Sequence, residues 1–209
     1  MKKYIIIIIF IIFFSGCIKE TENKKNDFFI EYPEFLEVIG KAGSPFADEY
    51  EKISAIAYID GIIAKESNKR LTNIYYLKAE LLYKLNRYNE ALETIINIED
   101  EDYSIATLLI ILGREKEAEP YLQKCINKNI NGLILSKEQS EERYLNIQAL
   151  VSFYILSDRN YESIESILNE LLIEGIITQK DSETLLQDDF FKNDLQQIKE
   201  IFLTSMWPE

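Results

Sequence analysis

The chain has 209 residues, with 36 acidic and 23 basic side chains, a formal net charge of −13 and no histidine. An acidic chain lacks the basic surface that nucleic acid and anionic lipid headgroups require of a partner. With no imidazole, Ser-His-Asp and Cys-His catalysis, histidine-ligated zinc and histidine proton shuttles are excluded.

The first element is Met1-Lys2-Lys3 followed by eleven apolar or aromatic residues, Tyr4 to Phe14. Lysines, an apolar run and then small residues are in the order of a secretory signal, here residues 1–16. Eleven residues at helical rise span roughly 16 Å, about half of a ~30 Å hydrocarbon core, so the run is too short to cross a bilayer. Phe14-Ser15-Gly16-Cys17 resembles the lipobox of bacterial lipoproteins, with Phe14 where leucine is usual. That resemblance implies a thioether-linked diacylglycerol on Cys17, cleavage just before it and acylation of the new amine. It also implies residence on the bacterial cell membrane. Ile18 in place of aspartate favours the outer membrane where there is one. Several acyl chains hold a protein far better than one marginal chain. Residues 17–27, nearly all charged or amide after Ile18, read as a polar tether. The 193 residues left after cleavage carry a net charge of −15. With Cys17 lipidated, Cys125 has no disulfide partner and reads as a small buried hydrophobe.

Residues 28–209 read as one all-α domain, because apolar residues recur at three and four and glycine and proline are sparse. The predicted helices are Glu34–Lys41, Pro45–Glu66, Asn73–Leu85, Tyr88–Ile98, Tyr103–Leu112, Glu115–Asn127, Lys137–Leu156, Tyr161–Glu174, Ser182–Gln187 and Leu195–Ser205. Ser44-Pro45 offers an N-cap and first-turn proline. Ser136 with Gln139 offers a capping box. Gly113 suits a left-handed cap. Pro120 requires a first-turn position or a kink, which would start its helix a turn after Glu115.

Within this array Tyr75, Ala79, Leu82, Asn86, Tyr88, Ala91 and Ile95 hold the spacing of a tetratricopeptide repeat, which the segment resembles. The offsets recur at Ala106, Leu109, Gly113, Ala118, Leu122 and Cys125, and more weakly at Ser152, Ile155, Tyr161, Ile164 and Leu168. The copies cover about 72–98, 99–127 and 145–174. The markers Ala91, Ala118 and Ile164 predict shortened helices near Glu99–Asp102 and an insertion over Lys128–Lys137. The implied fold is a short, irregular tetratricopeptide-like α-solenoid with capping helices at both ends. Glu34–Glu66 would cap the first end, with Ala55, Ile56, Ile59, Ile62 and Ile63 inward. Residues 181–205, which resemble the closing segment of some bacterial arrays, would cap the second.

The acidic run Glu99 to Asp102 lacks the spacing and glycine of a calcium loop, and no phosphate loop, nucleophile elbow or Ser-x-x-Lys spacing occurs. No catalytic residue, metal site or cofactor is expected. The resemblance implies instead a groove along the first helix of each hairpin that takes a protein or peptide partner. Its positions are Asn73, Tyr76, Glu80 and Tyr83, then Tyr103, Thr107 and Ile110, then Asn146, Ala149 and Phe153. The Lys, Arg and Asn set with which some members grip a C-terminal carboxylate is missing. Two other functions compete with this scaffold reading. One is capture of a small ligand or glycan in a pocket between the N-terminal helices and the first repeat. The other is an envelope enzyme. The tyrosines themselves have a plainer alternative, packing against the next helix or a cap.

Overall fold

A computed structural model of the chain describes residues 32–44, 46–65, 71–136, 140–157 and 161–204. The signal, Cys17 and the tether lie outside the described residues, as do Pro45, Glu66, Gln139 and Ser205. The chain forms two compact units, one ending at Ala47 and the other beginning at Asp48. Among the described residues the structure is helical, with no strand.

In the first unit, α1 (Phe35–Ala42) buries Phe35 and Ala42 and stops at Gly43, whose N–H donates to the Ile39 carbonyl at 2.8 Å. Glu37 and Lys41, one turn apart, pair at 2.6 Å on its exposed side.

The second unit starts with α2 (Glu49–Lys65). Its N-cap is Asp48 and not Ser44. The Asp48 carboxylate accepts the Glu51 N–H at 2.8 Å, and Glu51 accepts the Asp48 N–H at 3.1 Å. This reciprocal box satisfies two free donors at once, whereas Ser44 serves the neighbouring turn by accepting from the Phe46 N–H. Helix α2 buries Ala55, Ile56, Ile59 and Ile62, leaving Ile63 half-buried, and packs on the next helix.

Three hairpins follow. They are α3 (Thr72–Lys84) with α4 (Tyr88–Ile95), α5 (Asp102–Ile111) with α6 (Glu115–Leu135), and α7 (Glu141–Leu156) with α8 (Ile164–Ile173). Each helix packs on its neighbours in chain order, as in a helical solenoid. Ala79, Ala91, Ala106 and Ala118 have no solvent exposure. Side chains this small let helix backbones approach, and Leu82, Ile95, Leu109 and Leu122 fill the space around them. The first two turns repeat the same geometry. Asn86 and Gly113 sit in the left-handed region at φ 57° and 69°. In both, the next residue's N–H reaches back to the last helical turn, from Arg87 to Leu82 at 2.9 Å and from Arg114 to Leu109 at 2.8 Å. Arg87 and Arg114 then each grip a glutamate three residues on, Glu90 and Glu117, through two hydrogen bonds.

The irregular repeat spacing has two visible causes. Helix α4 ends at Ile95, short of the expected Ile98, and Asp100 turns the chain at φ 67°. The expected insertion after Lys128 is not a loop through residue 135, because α6 continues to Leu135. Ser136 ends α6, its hydroxyl donating to the Leu133 carbonyl, and Ser140 caps α7 by accepting the Arg143 N–H at 3.1 Å. Pro120 stays inside α6 without moving its start from Glu115. Both Pro120 and Lys116 are exposed, so the carbonyl that loses its helical donor faces solvent.

Helix α8 starts after Ser163, which forms a capping box with Ser166, and α9 (Gln179–Leu186) starts after Thr178, boxed with Asp181. Both starts differ from the expected Tyr161 and Ser182 because the reciprocal caps, and not the apolar period, set them. A 3₁₀ turn over Asp189–Lys192 leads to α10 (Leu195–Thr204), capped by Asp194, which accepts the Gln197 N–H at 2.9 Å.

Candidate functional site

The first helices of the three hairpins, α3, α5 and α7, carry the expected groove positions. Glu80 is buried at 8% exposure and Thr107 at 0%. Glu80 pairs with Lys84 at 3.0 Å, both side chains nearly out of water. The Thr107 hydroxyl donates to the Tyr103 carbonyl at 2.9 Å. Ile110 and Phe153 are also buried, while Asn73 is exposed and Tyr76 and Ala149 are half-buried. Tyr103 stacks edge-on against Phe153 with ring centroids 5.6 Å apart, tying α5 to α7. Burial raises the Tyr103 phenol above its usual range.

Tyr83 makes the informative contact. Its hydroxyl donates to the backbone carbonyl of Leu203, in the last turn of α10, at 2.7 Å. Burial, with Tyr88 close by, raises its pKa. The Tyr83 and Tyr88 rings meet edge to face at 5.4 Å, and Tyr88 donates to Asn86 at 2.6 Å. Helix α10 also packs on α7. The face that joins α3 and α7 therefore already holds a helix, and the chain's own C-terminal segment supplies it.

Helix α7 also holds that segment in place. The Arg143 Nε and Nη2 donate to the Asp181 carboxylate, Nη2 to Oδ2 at 2.7 Å, and Nη1 donates to the Leu133 carbonyl at 3.1 Å. One guanidinium thus ties the end of α6 and the start of α9 to α7. Burial pushes the Asp181 carboxyl up, but the Arg143 hydrogen bonds and the Thr178 N–H and hydroxyl outweigh it and hold its pKa below the usual carboxylate range. The next residue, Tyr144, donates to the Asp188 carboxylate, and one turn on Gln148 Nε2 donates to the same carboxylate at 3.2 Å. Burial and the Asp188 carboxylate push the Tyr144 phenol up to about 12. Arg143 and Tyr144 fasten the C-terminal segment, and pattern reading passed over both. The available signal was one arginine at the start of an apolar-periodic helix in an acidic chain. Asn146 lies against Gly132 of α6, its Oδ1 only 2.9 Å from where a Cβ would stand, so it faces a neighbouring helix.

Two clefts accompany these contacts. One of about 360 Å³ lies between Arg143, Tyr144, Lys180 and Asp181, and one of about 230 Å³ between Asp102, Tyr103, Lys124 and Cys125. In the first, Arg143 and Asp181 spend their polar groups on each other. In the second, Lys124 pairs with Asp102 at 2.9 Å, and burial pushes the Cys125 thiol up to about 11, which keeps it protonated and unreactive. Neither cleft involves α1, α2 or α3. The acidic run is occupied by Lys128 on Asp100, Lys124 on Asp102 and Ser104 on Glu101. Among the described residues no three acidic or cysteine side chains gather as a metal site would need, and no helix is long and apolar enough to cross a membrane.

No curated protein and no solved structure matches the chain. The tetratricopeptide repeat family model matches residues 72–96 and 103–127. These segments coincide with the hairpins α3–α4 and α5–α6, up to Asn127 of α6, and the third hairpin lies outside them. Repeats of this kind generally mediate protein–protein interaction and are typically non-catalytic, so this chain carries tetratricopeptide repeats suited to a protein-interaction scaffold.

Proposed function

We propose that this protein is a lipid-anchored, non-catalytic scaffold of the bacterial cell envelope that holds a helical segment of a protein partner on the face formed by α3, α5 and α7. The observation that carries the binding half of this reading is the seating of a helix on that face, with Tyr83 donating to a main-chain carbonyl at 2.7 Å. Tyrosines suit such a surface, because they give rigid contact area at little entropic cost. The anchoring half rests on Phe14-Ser15-Gly16-Cys17 after the apolar run.

Pull-down from membranes with the native chain and with Tyr76→Ala and Tyr83→Ala variants tests the first half. A partner lost from both variants supports it, and equal recovery of every partner removes it. For the second half, Cys17→Ser should release the protein from membranes, and unchanged retention refutes the anchor.

A further inference from the structure

Helix α2 buries Ala55, Ile56, Ile59 and Ile62 on one side and leaves the opposite side exposed. The first helix of a stacked array ordinarily turns a polar face to water. The open side of α2 does not. Tyr50 is 77% exposed and Ile53 44%, and the exposed Ala57, Gly61 and Ala64 continue the stripe.

Five exposed residues spaced by four, Glu49, Ile53, Ala57, Gly61 and Lys65, form one ridge along this side. Rows of that spacing are the ones that engage when two helices cross at about −50°, the commonest packing angle. Read in reverse, the ridge is complementary to itself. Ile53 and Gly61 stand equally far from Ala57 on either side, as do Glu49 and Lys65. A second copy laid antiparallel about Ala57 therefore sets Ile53 on the bare backbone of Gly61 and Glu49 beside Lys65, at both ends alike. Large meets small, and acid meets base. Among the described residues Glu49 and Lys65 make no ion pair, so both charges are open to such a contact.

Gly61 supports this independently. A glycine in an exposed helix interior costs stability relative to alanine. A Cβ built at Gly61 would meet none of the described residues within 4 Å, so packing within the chain gives no reason for it. Gly132, by contrast, makes room for Asn146. Open space over a helical glycine suits a backbone that approaches from outside.

We propose that the exposed side of α2 is a self-association surface whose partner is a second copy of this chain, in antiparallel twofold contact about Ala57. Such an interface is isologous, so it closes as a dimer and does not propagate. The surface is separate from the face formed by α3, α5 and α7, and this inference stands without the scaffold reading.

The test is sedimentation equilibrium of the full chain in mild detergent, where the native chain should dimerise. Glu49→Lys and Lys65→Glu each set like charges together at both ends of the contact, and each should weaken the dimer roughly tenfold or more. An equimolar mixture of these two variants puts an acid opposite a base at both ends again, and it should dimerise about as tightly as the native chain. Gly61→Gln should also lose the dimer, while its thermal unfolding midpoint stays level or rises because helix propensity improves in open space. Three results overturn the inference. They are a native chain that is monomeric at every concentration reached, charge variants that dimerise like the native chain, and a mixture no tighter than its components. If a charge variant loses its helical circular dichroism signal, Gly61→Gln decides, and a native-like dimer of that variant overturns the inference.

Discussion

Arg143 on α7 and Asp181 on α9, 38 residues apart, meet as a forked pair with Nη2 2.7 Å from Oδ2 and each side chain 11% exposed. Replacing one partner leaves the other charged, buried and unanswered. Arg143→Met should therefore cost about 3–5 kcal/mol in urea unfolding, whereas the double change Arg143→Met with Asp181→Leu should recover most of it. Arg143→Lys should rescue only in part, because an ammonium cannot serve both the carboxylate and the Leu133 carbonyl from one fork.

The same pair gives the fold an acid limit. The folded Asp181 carboxyl titrates below its usual range. Its stabilisation is therefore complete above the unfolded value near 3.9 and is lost as pH falls through the lower folded value. A plot of Tm against pH should fall steeply below about pH 4, and the Arg143→Met, Asp181→Leu chain should fall less steeply there. Identical slopes would show that the pair does not set the limit.

Ala106 is fully buried where α5 meets its neighbours. Ala106→Leu should cost about 1–3 kcal/mol, because the extra methyl groups have no space to enter without moving a helix. A nearby exposed site such as Glu115→Ala should change little, and chemical denaturation of both separates packing from composition.

Two glycines should respond differently to the same change. Gly113 holds φ 69°, so Gly113→Ala should destabilise by about 1–2 kcal/mol. Gly132 lies inside α6 beside Asn146. Gly132→Ala should gain helix propensity but push the Asn146 amide, giving little net change, and adding Asn146→Ala should release a gain of about 1 kcal/mol.

Much of the array was legible because its signals are local. The alanines at 79, 91, 106 and 118 mark helix contacts through their size alone, and Asn86 and Gly113 mark turns through their backbone freedom. The expected insertion over Lys128–Lys137 was not legible in this way. Helix α6 continues through this segment to Leu135, and its Gly132 leaves the space that Asn146 of the crossing helix occupies. Ser136 misled as well, since a serine fits either end of a helix and here it finishes one. The expected site fared differently by position. Glu80 and Thr107 are buried and satisfied by their own helices, and Tyr103 leans on Phe153. The residue that meets Tyr83 is 120 positions away, and no spacing rule connects 83 to 203. The Arg143 and Tyr144 fastenings are non-local in the same way, so periodicity could not reveal them.

Stacked hairpins ordinarily grow by duplication, since each new unit touches only its neighbours. The hydrogen bond from Tyr83 to Leu203 forbids that freedom here. One more hairpin between them would carry α10 out of reach of the Tyr83 hydroxyl, so the return of α10 acts as a ruler on the number of units between them. Nor can this contact form during synthesis until the chain has grown 120 residues past Tyr83.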